Sequence, residues 1–419
     1  MSKREIIHQQ ILYYLLLIQA FAFPLWKKIT PLILLLLLLN WLLEFNFTIR
    51  FKKLFSEHKF PNFLLFISLY VLYLIGLIYT SNFNYAWFDL EVKLTFLLIP
   101  FFLFTSNIDK LSKNQIINVL VLFIFGCFVS SVISIAHSYY LYKTTGYVFW
   151  FFYTYASFFH HPSYISMYLV FAISCISYLA ITDLIINKKL KYFFYFLLIW
   201  FIAYVIILSS KAGIISLIFV VLFLFVYWII KKRNYLISTA IIIFFLLFSG
   251  VVLKKNPTLT NRIITSFQVV KAAKNDINSD DGTVQRMEIW KTSIHIIKDN
   301  FLIGVGTGDV KDELLKHYDE NGMSFAKSNN LNAHGQYFQT FITLGILGFL
   351  SLILLFIIPA FQSFKNRNII YLLFLVIVAS NIMVESMFEN QAGVIFYTFF
   401  NSFLFLTTKQ LTSVNSKKN

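Results

Sequence analysis

Residues 11–25 read ILYYLLLIQAFAFPL, and residues 240–253 read AIIIFFLLFSGVVL. Neither run contains a charge, and neither alternates between polar and apolar positions. A helix that crosses a bilayer needs roughly 20 mostly apolar residues. A barrel strand would show about ten residues of strict alternation instead. The whole chain extends the pattern: of 419 residues, 58% are hydrophobic and 13% charged. An ordinary soluble domain carries a charged fraction of about 25%. Because a bilayer leaves only helices or closed barrels open to a spanning chain, the expected fold class is all-α, a polytopic transmembrane helical bundle.

Apolar runs predict about 12 spans, near residues 11–26, 29–45, 61–79, 92–105, 115–142, 163–182, 191–208, 212–230, 235–252, 337–360, 369–388 and 391–408. Loops on the cytoplasmic side are enriched in Lys and Arg. With the N-terminus inside, the inner segments hold 19 of the 35 basic residues and the short outer segments five. That bias predicts both termini in the cytoplasm, and it explains the net charge of +16 without nucleic acid. The Ala20-Phe21-Ala22 triplet formally resembles a signal cleavage site but sits inside the first run, which predicts an uncleaved helix. Three units follow: residues 1–252 with spans 1–9, a hydrophilic loop at 253–336 outside the cytoplasm, and residues 337–419 with spans 10–12 and a cytoplasmic tail.

The loop between spans 9 and 10 holds ten acidic and eleven basic residues, so it reads as a small folded cap. Met287, Trp290, Ile294 and Ile297 recur at helical spacing and predict a helix over 284–299, with Thr283 as its N-cap. Arg286 then falls in the first turn, where free N–H groups and a guanidinium converge on an anion; a solvated surface arginine is the alternative. Gly304, Gly306 and Gly308 lack the lysine and preceding strand of a phosphate-binding loop. They read as a flexible turn. His334, just before the chain re-enters the membrane, can exchange a proton near neutral pH or make a structural hydrogen bond. Cys127 and Cys175 lie in apolar runs, and the eight histidines are scattered. Neither a metal site nor a cofactor is expected.

The strings RMEIWKTSIHIIKDNFLIGVGTG (286–308) and NAHGQYFQTFITLGILG (332–348) resemble the signature of the O-antigen ligase and O-antigen polymerase superfamily. Arg286, Trp290, Gly304, Gly306, His334, Gln336, Tyr337, Gly345 and Gly348 occupy its positions, while Gly335 stands where Asn is common. LSSKAG (208–213) matches a Ser-Arg-Gly motif, with Lys211 in place of the arginine. FFHHPSYISMYL (158–169) adds His160, His161 and Tyr164 at one outer helix end, and ESMFENQAG (385–393) adds Glu385 and Glu389 at another. Acids at such depth are costly and are usually functional or paired.

The resemblance implies a bacterial inner-membrane enzyme whose mostly helical periplasmic loop carries the site. It implies transfer of a glycan from an undecaprenyl-diphosphate donor to a lipid or glycan acceptor, without metal and with inversion. Arg286 and Lys211 would bind the diphosphate, and His334 would orient or deprotonate the attacking hydroxyl. Glu385 or Glu389 would order these groups, and Trp290, Gln336, His161 and Tyr164 would line the substrate site. A ligase acting on lipid A-core or another acceptor and a repeat-unit polymerase fit equally well in kind. A lipid-linked sugar transporter fits less well, because no internal repeat is visible and, Asn40 apart, the mid-spans are poor in strongly polar groups.

Overall fold

The structure, a computed structural model, describes residues 3–56, 59–184, 187–232 and 282–412, with isolated positions 243, 247, 250, 254 and 278. The expected ninth span, most of the first third of the loop and the tail after 412 lie outside the described residues. Every described element is a helix. In chain order the main ones are α1 (Lys3–Ala22), α2 (Ile29–Leu43), α3 (Phe47–Ser56), α4 (Phe60–Ile75), α5 (Phe83–Lys93), α6 (Thr95–Thr105), α7 (Lys113–Thr145), α8 (Pro162–Ile181), α9 (Lys188–Leu208) and α10 (Lys211–Lys232). Then come α11 (Gly282–Asp299), α12 (Val310–Glu320), α13 (Ser324–Ser328), α14 (Gln336–Lys365), α15 (Ile369–Ile382), α16 (Gln391–Leu406) and α17 (Thr408–Thr412).

The protein is a multi-pass membrane protein of the all-α class. Five described helices are long and apolar enough to cross a bilayer: α4 with its following turn, α7, α8, α9 and α14. A sixth counts if α2 and α3, bent by 102°, are one span. The α3 segment FTIRFKKLFS is amphipathic, with Arg50, Lys52 and Lys53, as befits a helix lying along a charged surface. The expected fourth span, 92–105, is largely the single short helix α6, which α5 meets at Leu94. At the centre stands α8, whose apolar stretch is 83% buried against 33% for α9. A helix apolar all round needs neighbours on every side, and α8 packs on α7, α9, α10 and α15. Polar groups inside the bundle exceed the sequence reading. Asn40 pairs with His8 at 2.8 Å, while Gln19, Asn381 and Asn401 are also buried.

The helix α14 is broken at Gly345, whose φ is 62°. Breaking a helix in apolar surroundings frees backbone groups that must find partners. The turn after α11 supplies them. Val305 and Gly306 donate N–H groups to the carbonyls of Ile342 (2.9 Å) and Thr343 (3.0 Å), and Ile346 donates to the carbonyl of Phe301 (2.9 Å). Asp309 further accepts from the Ser81 and Asn82 amides, both at 2.8 Å. The Gly304–Gly308 segment is therefore no flexible turn but a docked strap across the break. A Cβ at Gly345 would run into the Leu302 carbonyl, and its backbone (φ 62°, ψ −158°) lies in a region open essentially to glycine, costing another residue of order 1–3 kcal/mol. We expect Gly345→Ala to lower the melting temperature in detergent. It should do so more than Gly146→Ala, whose φ is 76° but whose Cβ would meet nothing within 4 Å.

Candidate functional site

The helix α11 begins at Gly282, two residues ahead of the expected 284, so Thr283 lies in its first turn. Each nitrogen of the Arg286 guanidinium donates one hydrogen bond. Nε donates to the Val384 carbonyl (3.1 Å), Nη1 to the Gly282 carbonyl (3.1 Å) and Nη2 to Glu385 Oε1 (2.9 Å). The same Glu385 oxygen accepts from Ser163 Oγ at 3.1 Å. Ser163 stands where it does because Pro162 and the His161 cap start α8: His161 Nδ1 accepts from the Ser163 amide at 3.4 Å. Lys211, the first residue of α10, donates to Thr283 Oγ1 at 2.5 Å. Arg286, Lys211, Glu385, Ser163, Trp290 and Tyr153 line one cavity of about 450 Å³. Its lining carries two cations and one carboxylate, so an anion docking there meets a net positive charge.

His334 borders this group. Its backbone φ is 46°, a left-handed conformation that costs a non-glycine residue of order 1–3 kcal/mol and persists only when neighbours hold it. Three contacts do so: the Trp290 indole donates to its carbonyl (3.3 Å), its amide donates to Asn332 Oδ1 (3.0 Å), and the next amide, Gly335, donates to Ser386 Oγ (3.1 Å). Imidazole Nδ1 is buried without a hydrogen-bond partner. Burial, then the positive charge of Arg286, pushes the imidazole pKa down to about 4; Glu385 opposes the shift and His161 adds to it. His334 is therefore neutral at pH 7.

Not every expected residue reaches the cavity. Gln336 is buried and clamps the turn 386–390, its Oε1 accepting from the Phe388 amide (2.7 Å) and its Nε2 donating to Glu389 Oε1 (3.2 Å) and Thr340 Oγ1 (3.1 Å). Tyr164 donates to the Met387 carbonyl of that turn at 3.5 Å. Glu389 turns to Lys93 Nζ at 3.0 Å. Lys93 is wholly buried, also pairs with Asp89, and lies 4.7 Å from the centre of the Tyr73 ring. His160 packs edge-on against Tyr168, with ring centroids 5.5 Å apart. Glu385 and Glu389, four residues apart, thus serve two clusters.

Asp89 and Lys93 escaped the sequence reading, which counted Lys93 as a base at an outer span end. An acid and a base four residues apart face each other on a helix, and DLEVK at 89–93 shows that spacing inside an apolar stretch. Removing one member of a buried ion group costs about 3–5 kcal/mol, because the remaining charge is left unpaired. Lys93→Met should therefore destabilise the protein strongly in a thermal melt. Adding Asp89→Asn and Glu389→Gln should restore part of the loss.

Among the described residues no group of three or more His, Cys, Asp and Glu side chains is placed to hold a metal. Residues 196–353 match the family model described as O-antigen ligase. The match takes in Lys211, Arg286, Trp290, His334 and Gln336, and it bears out the resemblance to the ligase and polymerase superfamily. A curated protein of Haemophilus influenzae, described as uncharacterized, is 27% identical over 143 residues. The match covers 30% of this chain and 36% of that protein, so the chain spans about a third of the relative's length.

Proposed function

From a multi-pass membrane protein whose residues 196–353 match O-antigen ligase, we propose a ligase that moves a glycan from an undecaprenyl-diphosphate donor to a lipid or glycan acceptor at the periplasmic face of the inner membrane. The observation that carries this reading is the cavity lined by both Arg286 and Lys211; His334 is not among its lining residues but stands near enough to Arg286 and Glu385 to feel their charges. The diphosphate sits against the two cations. His334 takes the proton of the acceptor hydroxyl as its oxygen attacks the anomeric carbon. The bond from that carbon to the phosphate oxygen breaks, and the lipid diphosphate leaves with its new charge held by Arg286 and Lys211. Attack opposite the leaving group inverts the anomeric centre. Glu385 keeps Arg286 aimed through its 2.9 Å bond.

The test uses the full chain in vesicles with a labelled lipid-diphosphate oligosaccharide, with and without an acceptor glycolipid. Label moving to the acceptor supports the ligase. Lengthening of the lipid-linked glycan from donor alone supports the polymerase, which shares the same cavity chemistry. No turnover of donor in either arm overturns both. In the same assay Lys211→Arg should keep activity within about tenfold, because a guanidinium preserves the charge and phosphate contact. Lys211→Ala should lose more.

A further inference from the structure

The sequence puts residues 253–336 outside the membrane, yet one short stretch of that loop is apolar and exposed. Phe301, Leu302 and Ile303 form the tip of the strap that crosses the break in α14; Leu302 is 69% and Ile303 57% exposed. Four observations locate this tip. Its backbone is in register with α14, since Ile346 donates to the Phe301 carbonyl at 2.9 Å. The 30-residue helix α14 ends at Lys365, beside Arg367, and roughly 20 residues of helix cross the hydrocarbon. Counting back from that basic end brings the opposite boundary to the level of Gly345 and Ile346. The exposed apolar residues Leu347, Leu350 and Leu354 continue along the same helix at three- and four-residue spacing, the pattern of one helix face. Finally, Tyr79 donates to the Ile303 carbonyl at 2.6 Å, bringing the neighbouring turn with Ile78, 83% exposed, to the same level.

We propose that residues 301–303 are a membrane anchor of the cap, with Phe301, Leu302 and Ile303 seated in the acyl boundary of the outer leaflet. Lipid is the occupant because the patch is continuous with the apolar face of a spanning helix. Two of the tip's three carbonyls are taken, that of Phe301 by the Ile346 amide and that of Ile303 by the Tyr79 hydroxyl. Pairing of this kind lowers the cost of bringing irregular chain to the polar edge of the hydrocarbon, where backbone left unpaired still meets water. The helix α11 is thereby moored to the bilayer at its Asp299 end, while its Gly282 end carries Arg286 into the cavity.

The experiment places a nitroxide on Leu302→Cys, and separately on Ile303→Cys, in the full chain reconstituted in phosphatidylethanolamine and phosphatidylglycerol vesicles. Cys127 and Cys175 are buried and stay in place. Collision with oxygen, which concentrates in lipid, is compared with collision with a water-soluble nickel chelate. Leu350→Cys gives the lipid reference and Glu320→Cys, on the exposed side of α12, the water reference. The ratio at 302 and 303 should shift to the Leu350 side. A ratio like that of Glu320 overturns the anchor, and shielding from both reagents overturns it in favour of a second copy of the chain or another protein.

Discussion

Arg286→Ala should abolish glycan transfer in the reconstituted assay while leaving insertion and abundance near those of the parent chain. Loss of a preorganised donor aimed at developing charge typically lowers turnover by about 10²–10³. Here the loss should reach at least that, because the same side chain also orders Glu385. Its three donating nitrogens bind the Val384 carbonyl, the Gly282 carbonyl and Glu385. Arg286→Lys should fail nearly as badly, since an ammonium is a compact charge without the planar fork. The check is the initial rate per mole of protein for each variant. Activity of Arg286→Ala within tenfold of the parent removes Arg286 from the mechanism.

The second large effect belongs to His334. General base catalysis contributes typically 10²–10⁴-fold, and His334→Ala should lose that much in rate with little change in donor binding. The pH profile adds a signature. Folding pushes the imidazole pKa from 6.5 down to about 4, so the base form persists on the acid side of neutrality. Transfer should hold level down to about pH 5 and fall as the pH approaches 4. The stability linkage has the same sign. The unfolded histidine takes its proton near 6.5 and the native one only near 4. Stability contributed above pH 6.5 is therefore lost progressively as the pH falls toward 4. A transfer rate that halves at pH 6.5 contradicts the role given to His334.

Arg286 and Trp290 were legible because they share a face of one helix, and local periodicity reports faces. His334 was legible because it stands where a polar loop meets an apolar run. Lys211 came from its short motif at a helix start. What periodicity does not report is which distant segments meet. The Arg286–Glu385 pair joins residues 99 positions apart, and nothing local in ESMFENQAG separates the glutamate that faces the cavity from the one that faces Lys93. The strap was misread for a related reason. Three glycines in a polar context look mobile, and only the broken helix at Gly345, whose freed carbonyls need donors, explains their fixed geometry. Hydropathy likewise did not report the break at Leu94, where α5 meets α6, since it sums composition and ignores direction.

The buried trio of Asp89, Lys93 and Glu389 also bears on how the chain is assembled. Ribosomes deliver the lysine early and its second carboxylate almost 300 residues later. Until that glutamate arrives, Lys93 has only Asp89 beside it, and an incompletely paired charge favours the water boundary over the hydrocarbon. The α5 segment should then wait at the membrane surface during synthesis and sink into its seat only when the last helices have been made. A chain truncated before residue 389 should leave Leu90→Cys, a buried neighbour of the trio, open to a water-soluble maleimide, and completion of the chain should close it. Burial of this one ammonium would mark the moment at which the bundle is finished.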